Sequence, residues 1–126
     1  MRVADQKKQT LAHARALRQS AAIIDRRSSP NEWNSARARL VTGRRLVEYI
    51  AADGTPEALE LAEILLLYGD VQIKREKFTA ARKALRRAAN LFANMESEAR
   101  ESGEKRVGEA LERLDEASGD KEAIGG

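Results

Sequence analysis

Apolar residues recur along this chain in steps of three and four. Trp33, Ala36, Leu40, Gly43, Val47 and Ile50 are spaced 3, 4, 3, 4 and 3 residues apart, and Phe78, Ala81, Leu85, Ala88, Phe92 and Met95 repeat that series 45 residues later. Such steps place each set on one face of a helix. Ala14, Leu17, Ala21 and Ile24 align with Leu59, Ala62, Leu66 and Gly69 at the same offset without a gap, and Thr10 aligns with Thr55. The chain thus holds two copies of a long helical unit. A period of this size is typical of stacked helix pairs, which more often bind other proteins than perform chemistry.

Helix boundaries follow from punctuation. A first helix is predicted over about 5–25, with Ala14, Leu17, Ala21 and Ile24 inward, and a loop over Arg26, Arg27, Ser28 and Ser29. Ser29-Pro30-Asn31-Glu32 is a start signal. The Ser29 hydroxyl accepts an amide three residues on, Glu32 reaches back to the Ser29 amide, and Pro30 occupies a position that needs no amide proton. A second helix runs to about Ala52 and ends at Asp53-Gly54, with glycine suited to the left-handed cap. Thr55-Pro56-Glu57 starts a third helix, apolar on two sides through Leu61, Leu65 and Tyr68 and through Ile64, Leu67 and Val71. A helix apolar on two faces belongs in the middle of a stack. The short turn at Arg75, Glu76 and Lys77 makes the third and fourth helices antiparallel neighbours.

The fourth helix carries the second stripe, with its register running to Ala99. The phase then shifts to Val107, Ala110, Leu111, Leu114 and Ala117. Gly103 lies at the shift, so either the helix bends there or a fifth begins near Glu104. That segment either caps the stack or pairs with another copy of the chain, which keeps a homo-oligomer open. The predicted architecture is all-α: an antiparallel helical-hairpin repeat of four to five helices with a period of 45 residues. One domain over 1–117 comprises a hairpin at about 5–52, a hairpin at about 56–101 and a capping helix at about 104–117. A disordered tail is expected over 118–126.

At 126 residues the length suits a single domain. There is no cysteine, which excludes disulfides and thiolate zinc sites. The N-terminus lacks the apolar stretch of a signal peptide, and the longest apolar run, Ile64 to Tyr68, is far too short to span a membrane. A cytoplasmic protein is expected, with no membrane partner. The net charge of +3 hides an asymmetry: residues 1–50 carry +7, residues 51–100 balance, and residues 101–126 carry −4. A basic front and an acidic rear attract an acidic partner or each other.

Ala62 to Met95 resembles a tetratricopeptide repeat. Leu65 precedes Tyr68-Gly69 late in the first helix, and Phe78, Ala81, Leu85 and Ala88 follow in the second at the family's spacing. A weaker copy spans about 17–50, with Trp33, Ala36, Leu40 and Gly43 as its clear members. The chain departs from the pattern in several places. Gln72 stands in for an aromatic, Glu76 for a turn glycine, no proline closes the unit, and the period exceeds the usual 34 or so residues. These departures point to a longer-helix variant or to another helical-hairpin repeat such as the HEAT type. The resemblance implies a groove lined by first helices that binds a peptide or helix, with Glu63, Leu66, Asp70, Ile73 and Lys74 at groove positions. Members that clamp a C-terminal carboxylate have asparagine where Asp70 stands, so that version of the function is not expected. The structural alternative is that Leu66 and Ile73 belong to the core.

A second constellation is basic. Arg82, Lys83, Arg86 and Arg87 form like-charged pairs four apart on the fourth helix, and Arg37, Arg44 and Arg45 lie on the second. Pairs at that spacing repel by roughly 0.2–0.5 kcal/mol each unless acids lie nearby or an anionic partner binds. Nucleic acid is one such partner, although zinc-finger spacing, glycine-aromatic RNA motifs and a base-stacking platform are absent. A solvated face is the plainer reading. Enzyme signals are lacking: His13 is the lone histidine and has no plausible triad. Glu60/Glu63 and Glu109/Glu112 are expected to serve helix solubility. No catalytic residue, metal or cofactor is expected. The favoured function is a protein-interaction module, an adaptor or chaperone-like binder of a helix or peptide segment. The alternatives are a basic nucleic-acid-binding protein and a structural subunit of a larger assembly.

Overall fold

A computed structural model describes the backbone of residues 3–26 and 29–125 and the side chains of 5–26 and 29–119. Five helices follow in order, α1 (Val3–Asp25), α2 (Pro30–Val47), α3 (Pro56–Lys74), α4 (Phe78–Ala93) and α5 (Ser97–Gly125), with no strand among the described residues. The fold is all-α, as predicted. Each pair α1/α2 and α3/α4 packs as a hairpin, α2 lies on α3, and α4 lies on α5. In addition α1 touches α3, and α3 touches α5. The odd-numbered helices therefore share one layer and α2 and α4 the other, a packing compatible with a helical repeat.

Local chemistry starts the helices. Pro30 and Pro56 open α2 and α3. The Ser29 hydroxyl accepts the Glu32 amide at 3.4 Å, and Thr55 Oγ1 accepts the Ala58 amide at 3.2 Å. Each such cap is worth about 1 kcal/mol. The return bond expected from the Ser29 amide to Glu32 is not made, and Glu32 Oε2 is buried without a partner among the described residues. The loop expectation at Arg27 and Ser28 lies outside the described residues.

Three boundaries differ from the sequence reading. Helix α2 ends at Val47, and tighter turns carry the chain to Thr55. Gly54 does take the left-handed conformation (φ 77), but in the turn that closes with the Thr55 amide on the Ala52 carbonyl. Helix α4 stops at Ala93, and α5 begins at Ser97 rather than near Glu104. Gly103 thus marks neither a bend nor a start. It is a point of close approach, where a β-carbon would lie 2.7 Å from Phe92 Cδ2 of α4. The stretch expected as a tail continues α5 to Gly125, with Gly126 outside the described residues.

The core runs through α3, whose Ala58, Leu61, Ala62, Ile64, Leu65, Leu66 and Val71 are all buried. Both apolar stripes predicted for it are used, because α3 alone has neighbours on four sides. Glycine at position 69 lets α4 close in, since a β-carbon there would lie 2.6 Å from Leu85 Cδ2. Ala81, Leu85, Ala88 and Phe92 are fully buried along α4. Each large side chain buried in this way contributes about 1.5–3 kcal/mol. Val107, Ala110 and Leu114 of α5 bury inside the same chain, so the face considered for pairing with another copy is spent on capping the stack.

The α3–α4 turn explains one departure from the family pattern. Glu76 occupies the left-handed region (φ 61) where a glycine would ordinarily stand. The Lys77 amide reaches the Gln72 carbonyl at 2.8 Å and the Glu76 amide reaches that of Ile73 at 3.0 Å, which closes the helix end.

Candidate functional site

Since α1 and α5 both flank α3 without approaching one another among the described residues, a groove opens between them. It encloses about 270 Å³. Leu66 and Leu67 of α3 and Ala22 of α1 supply its apolar lining. Its walls are charged: Arg18 on α1, Glu63 and Asp70 on α3, and Arg106, Glu109 and Arg113 on α5.

Ion pairs build those walls. Arg106 grips Glu63 with two bonds of 2.7 and 2.6 Å, the forked geometry that makes such pairs strong. Donation to Glu63 holds the Arg106 guanidinium above its ordinary value, against an opposing effect of burial. The same guanidinium lies 5.6 Å from the centre of the Phe92 ring, so one arginine of α5 engages both α3 and α4. Arg113 donates to Asp70 at 2.8 Å. On the opposite wall Arg18 pairs with Glu60, and Arg15 reaches the same carboxylate at 3.4 Å. Glu60 is only 3% exposed. Glu60 and Glu63 therefore do not serve helix solubility, as the sequence suggested. They anchor the two neighbouring helices, because a carboxylate that loses water needs a cation in return.

Of the five groove positions taken from the resemblance, Glu63, Leu66 and Asp70 line this groove. Ile73 and Lys74 do not. Lys74 instead pairs with Asp25 at the end of α1, 2.7 Å from Oδ2. Ile73 packs against the core. Asp70, at the position where carboxylate-clamping members have asparagine, pairs with Arg113. The sequence reading missed Arg18, Ala22, Leu67, Arg106, Glu109 and Arg113. For α1 the signal was present: Arg18 and Ala22 stand 45 residues before Glu63 and Leu67. For α5 it was hidden, because Arg106, Glu109 and Arg113 read as an ordinary solvated helix face.

The basic residues gather on the opposite layer. Arg82, Lys83, Arg86 and Arg87 line an open concavity of about 680 Å³ with Phe78, Thr79, Asn90 and Ser118. Arg44 of α2 joins Lys83 and Arg87 around a second hollow of about 240 Å³. Glu48 accepts from Arg87 at 2.6 Å and from Arg44 at 3.3 Å. Burial pushes the Glu48 carboxyl up, but the Arg87 hydrogen bond and the charges of Arg44 and Arg87 outweigh it and hold it below its ordinary value. Arg82 pairs with exposed Asp115 at 2.9 Å. Arg37 and Arg45 line neither hollow, and Arg37 Nε is buried without a partner among the described residues.

His13 is exposed on α1. Among the described residues no group of three or more His, Cys, Asp or Glu is placed to hold a metal ion, and no helix is long and apolar enough to cross a membrane. Comparison with known protein families, with curated proteins and with solved structures finds no match.

Proposed function

We propose that this chain is a non-enzymatic protein-binding module of tetratricopeptide-like architecture, acting inside the cell as a small adaptor or chaperone-like binder. The groove between α1 and α5 is the observation that carries this reading. In the reading, α1, α3 and α5 are three successive first helices, and α2 and α4 are the second helices behind them. The left-handed backbone at Glu76, where the family uses glycine, supports the same assignment.

The groove suits one kind of occupant. A volume of about 270 Å³ falls just short of the roughly 300–1,000 Å³ of small-molecule sites, which favours an anchoring side chain over a cofactor. Its lining at Ala22, Leu66 and Leu67 favours an apolar anchor of leucine or methionine size. The arginines along its walls already hold carboxylates, so fit and apolar burial select the partner more than net charge does. The occupant is a segment of another protein that inserts one such side chain and lays polar flanks along the walls.

Site-specific photocrosslinking tests this. A photoreactive residue at position 22 is compared with one at exposed Gln19, and the crosslinked segment is identified by mass spectrometry. The segment is then synthesised and titrated against the protein. The expected result is a discrete peptide whose affinity falls at least tenfold in the Ala22→Arg variant, with the fold unchanged by circular dichroism. Equal crosslinking from both positions, or binding indifferent to Ala22→Arg, overturns the reading.

A further inference from the structure

The outward face of α4 is charged in a way the groove does not use. The helix contains four cations and no acidic residue. Arg82, Lys83, Arg86 and Arg87 stand side by side at spacings of one, three and four, so like charges face each other without a carboxylate of their own helix between them. Carboxylates outside the helix relieve two of the four, Glu48 just past α2 on Arg87 and Asp115 of α5 on Arg82. Asp115 is 66% exposed, and a pair that open is easily exchanged for another anion. Lys83 and Arg86 have no carboxylate among the described residues. Lys83 also borders the hollow toward α2, so the positive surface continues to Arg44.

We propose that this face binds the phosphodiester backbone of a nucleic acid without reading its sequence. Two features favour phosphates over an acidic protein. Protein interfaces draw most of their energy from buried aromatic and apolar anchors, and the concavity along α4 has only Phe78, at one end, with half-buried Tyr68 in the adjoining hollow. Backbone binding needs no such anchor, because counterion release supplies its free energy. Three of the four cations are arginines, whose forked donors match phosphate oxygens in pairs. Position 82 to position 87 covers about 7.5 Å of helix, room for roughly two to three phosphates along one strand. This site lies on the layer opposite the groove, and it stands or falls independently of the peptide-binding reading.

The test is fluorescence anisotropy with the full chain and a labelled 20-base-pair duplex, between about 50 and 200 mM salt. With about three phosphates neutralised, log K should fall against log salt with a slope near −3. The double variant Lys83→Gln/Arg86→Gln should weaken binding about tenfold or more at the lowest salt and reduce the slope by about 2. Lys7→Gln/Lys8→Gln on exposed α1 changes the net charge equally and should leave affinity within about twofold. Absence of binding at the lowest salt overturns the proposal. So does equal weakening by both double variants, which would reflect net charge alone. Poly-glutamate binding tighter than DNA, with the same dependence on Lys83 and Arg86, would assign the face to an acidic protein instead.

Discussion

Replacing Gly103 with alanine tests how α5 is seated. A β-carbon at this position would lie 2.7 Å from Phe92 Cδ2 and nearer still to Cγ and Cδ1. Comfortable carbon contacts need about 3.5–4.0 Å, so the helix must retreat or the ring must turn by roughly 1 Å or more. Phe92 is fully buried, which leaves the ring nowhere to go. Overpacking of this kind costs about 1–3 kcal/mol. Against that, alanine is preferred over glycine inside a helix by about 0.8–1.0 kcal/mol. Gly108, five residues on in the same helix, has nothing within 4 Å of its hypothetical β-carbon. The Gly108→Ala variant therefore shows the propensity gain alone, and the gap between the two variants isolates the clash, about 1–3 kcal/mol. Urea denaturation followed by circular dichroism measures both, and at this length each kcal/mol corresponds to about 4 °C in Tm. The Phe92→Leu change in the Gly103→Ala background should recover part of the loss. If Gly103→Ala stabilises as much as Gly108→Ala, α5 does not pack on Phe92 and the α5 wall of the groove is misassigned.

Two further outcomes are expected. Glu76 has a left-handed backbone, so a glycine there should be more stable than an alanine by about 1 kcal/mol in urea melts; equal stability would contradict the turn geometry. Glu48 titrates below its ordinary 4.5 when folded, so its contribution is complete above about pH 4.5 and is lost as the pH falls through the lower folded value. The stability gap between the native chain and its Glu48→Gln variant should be constant from pH 7 to 5 and close below pH 4.5, and a gap that stays open at pH 2 would refute the pairing with Arg87 and Arg44.

The apolar stripes were the legible part of this chain. Trp33 to Val47 and Phe78 to Phe92 lie along α2 and α4 as their spacing predicts, and most of their residues are buried. The two-sided burial of α3 was equally readable, from the density of its leucines. The start of α5 was not, because Asn94 is a weaker stop than glycine or proline and the 3–4 spacing of Phe92, Met95 and Ala99 runs through it. A glycine inside a helix reads as a weak point in sequence, whereas at Gly103 it is the condition for contact with a bulky ring. The groove's charged walls were hidden for a different reason. Glu60, Glu63, Asp70, Arg106 and Arg113 are the ordinary vocabulary of a solvated helix, and only the layering of α1, α3 and α5 turns them into partners.

The direction of those pairs has a consequence for how the chain assembles. In the shared layer α3 supplies the carboxylate in four of the five ion pairs among the described residues, and α1 and α5 the guanidiniums, while Lys74 of α3 with Asp25 of α1 runs the other way. Two hairpins with similar apolar stripes could otherwise stack in either sequence. A wrong neighbour would set arginine against arginine, a juxtaposition that is penalised even where the apolar surfaces fit. The mostly acidic centre and basic flanks thus favour α3, rather than α1 or α5, in the middle of the layer.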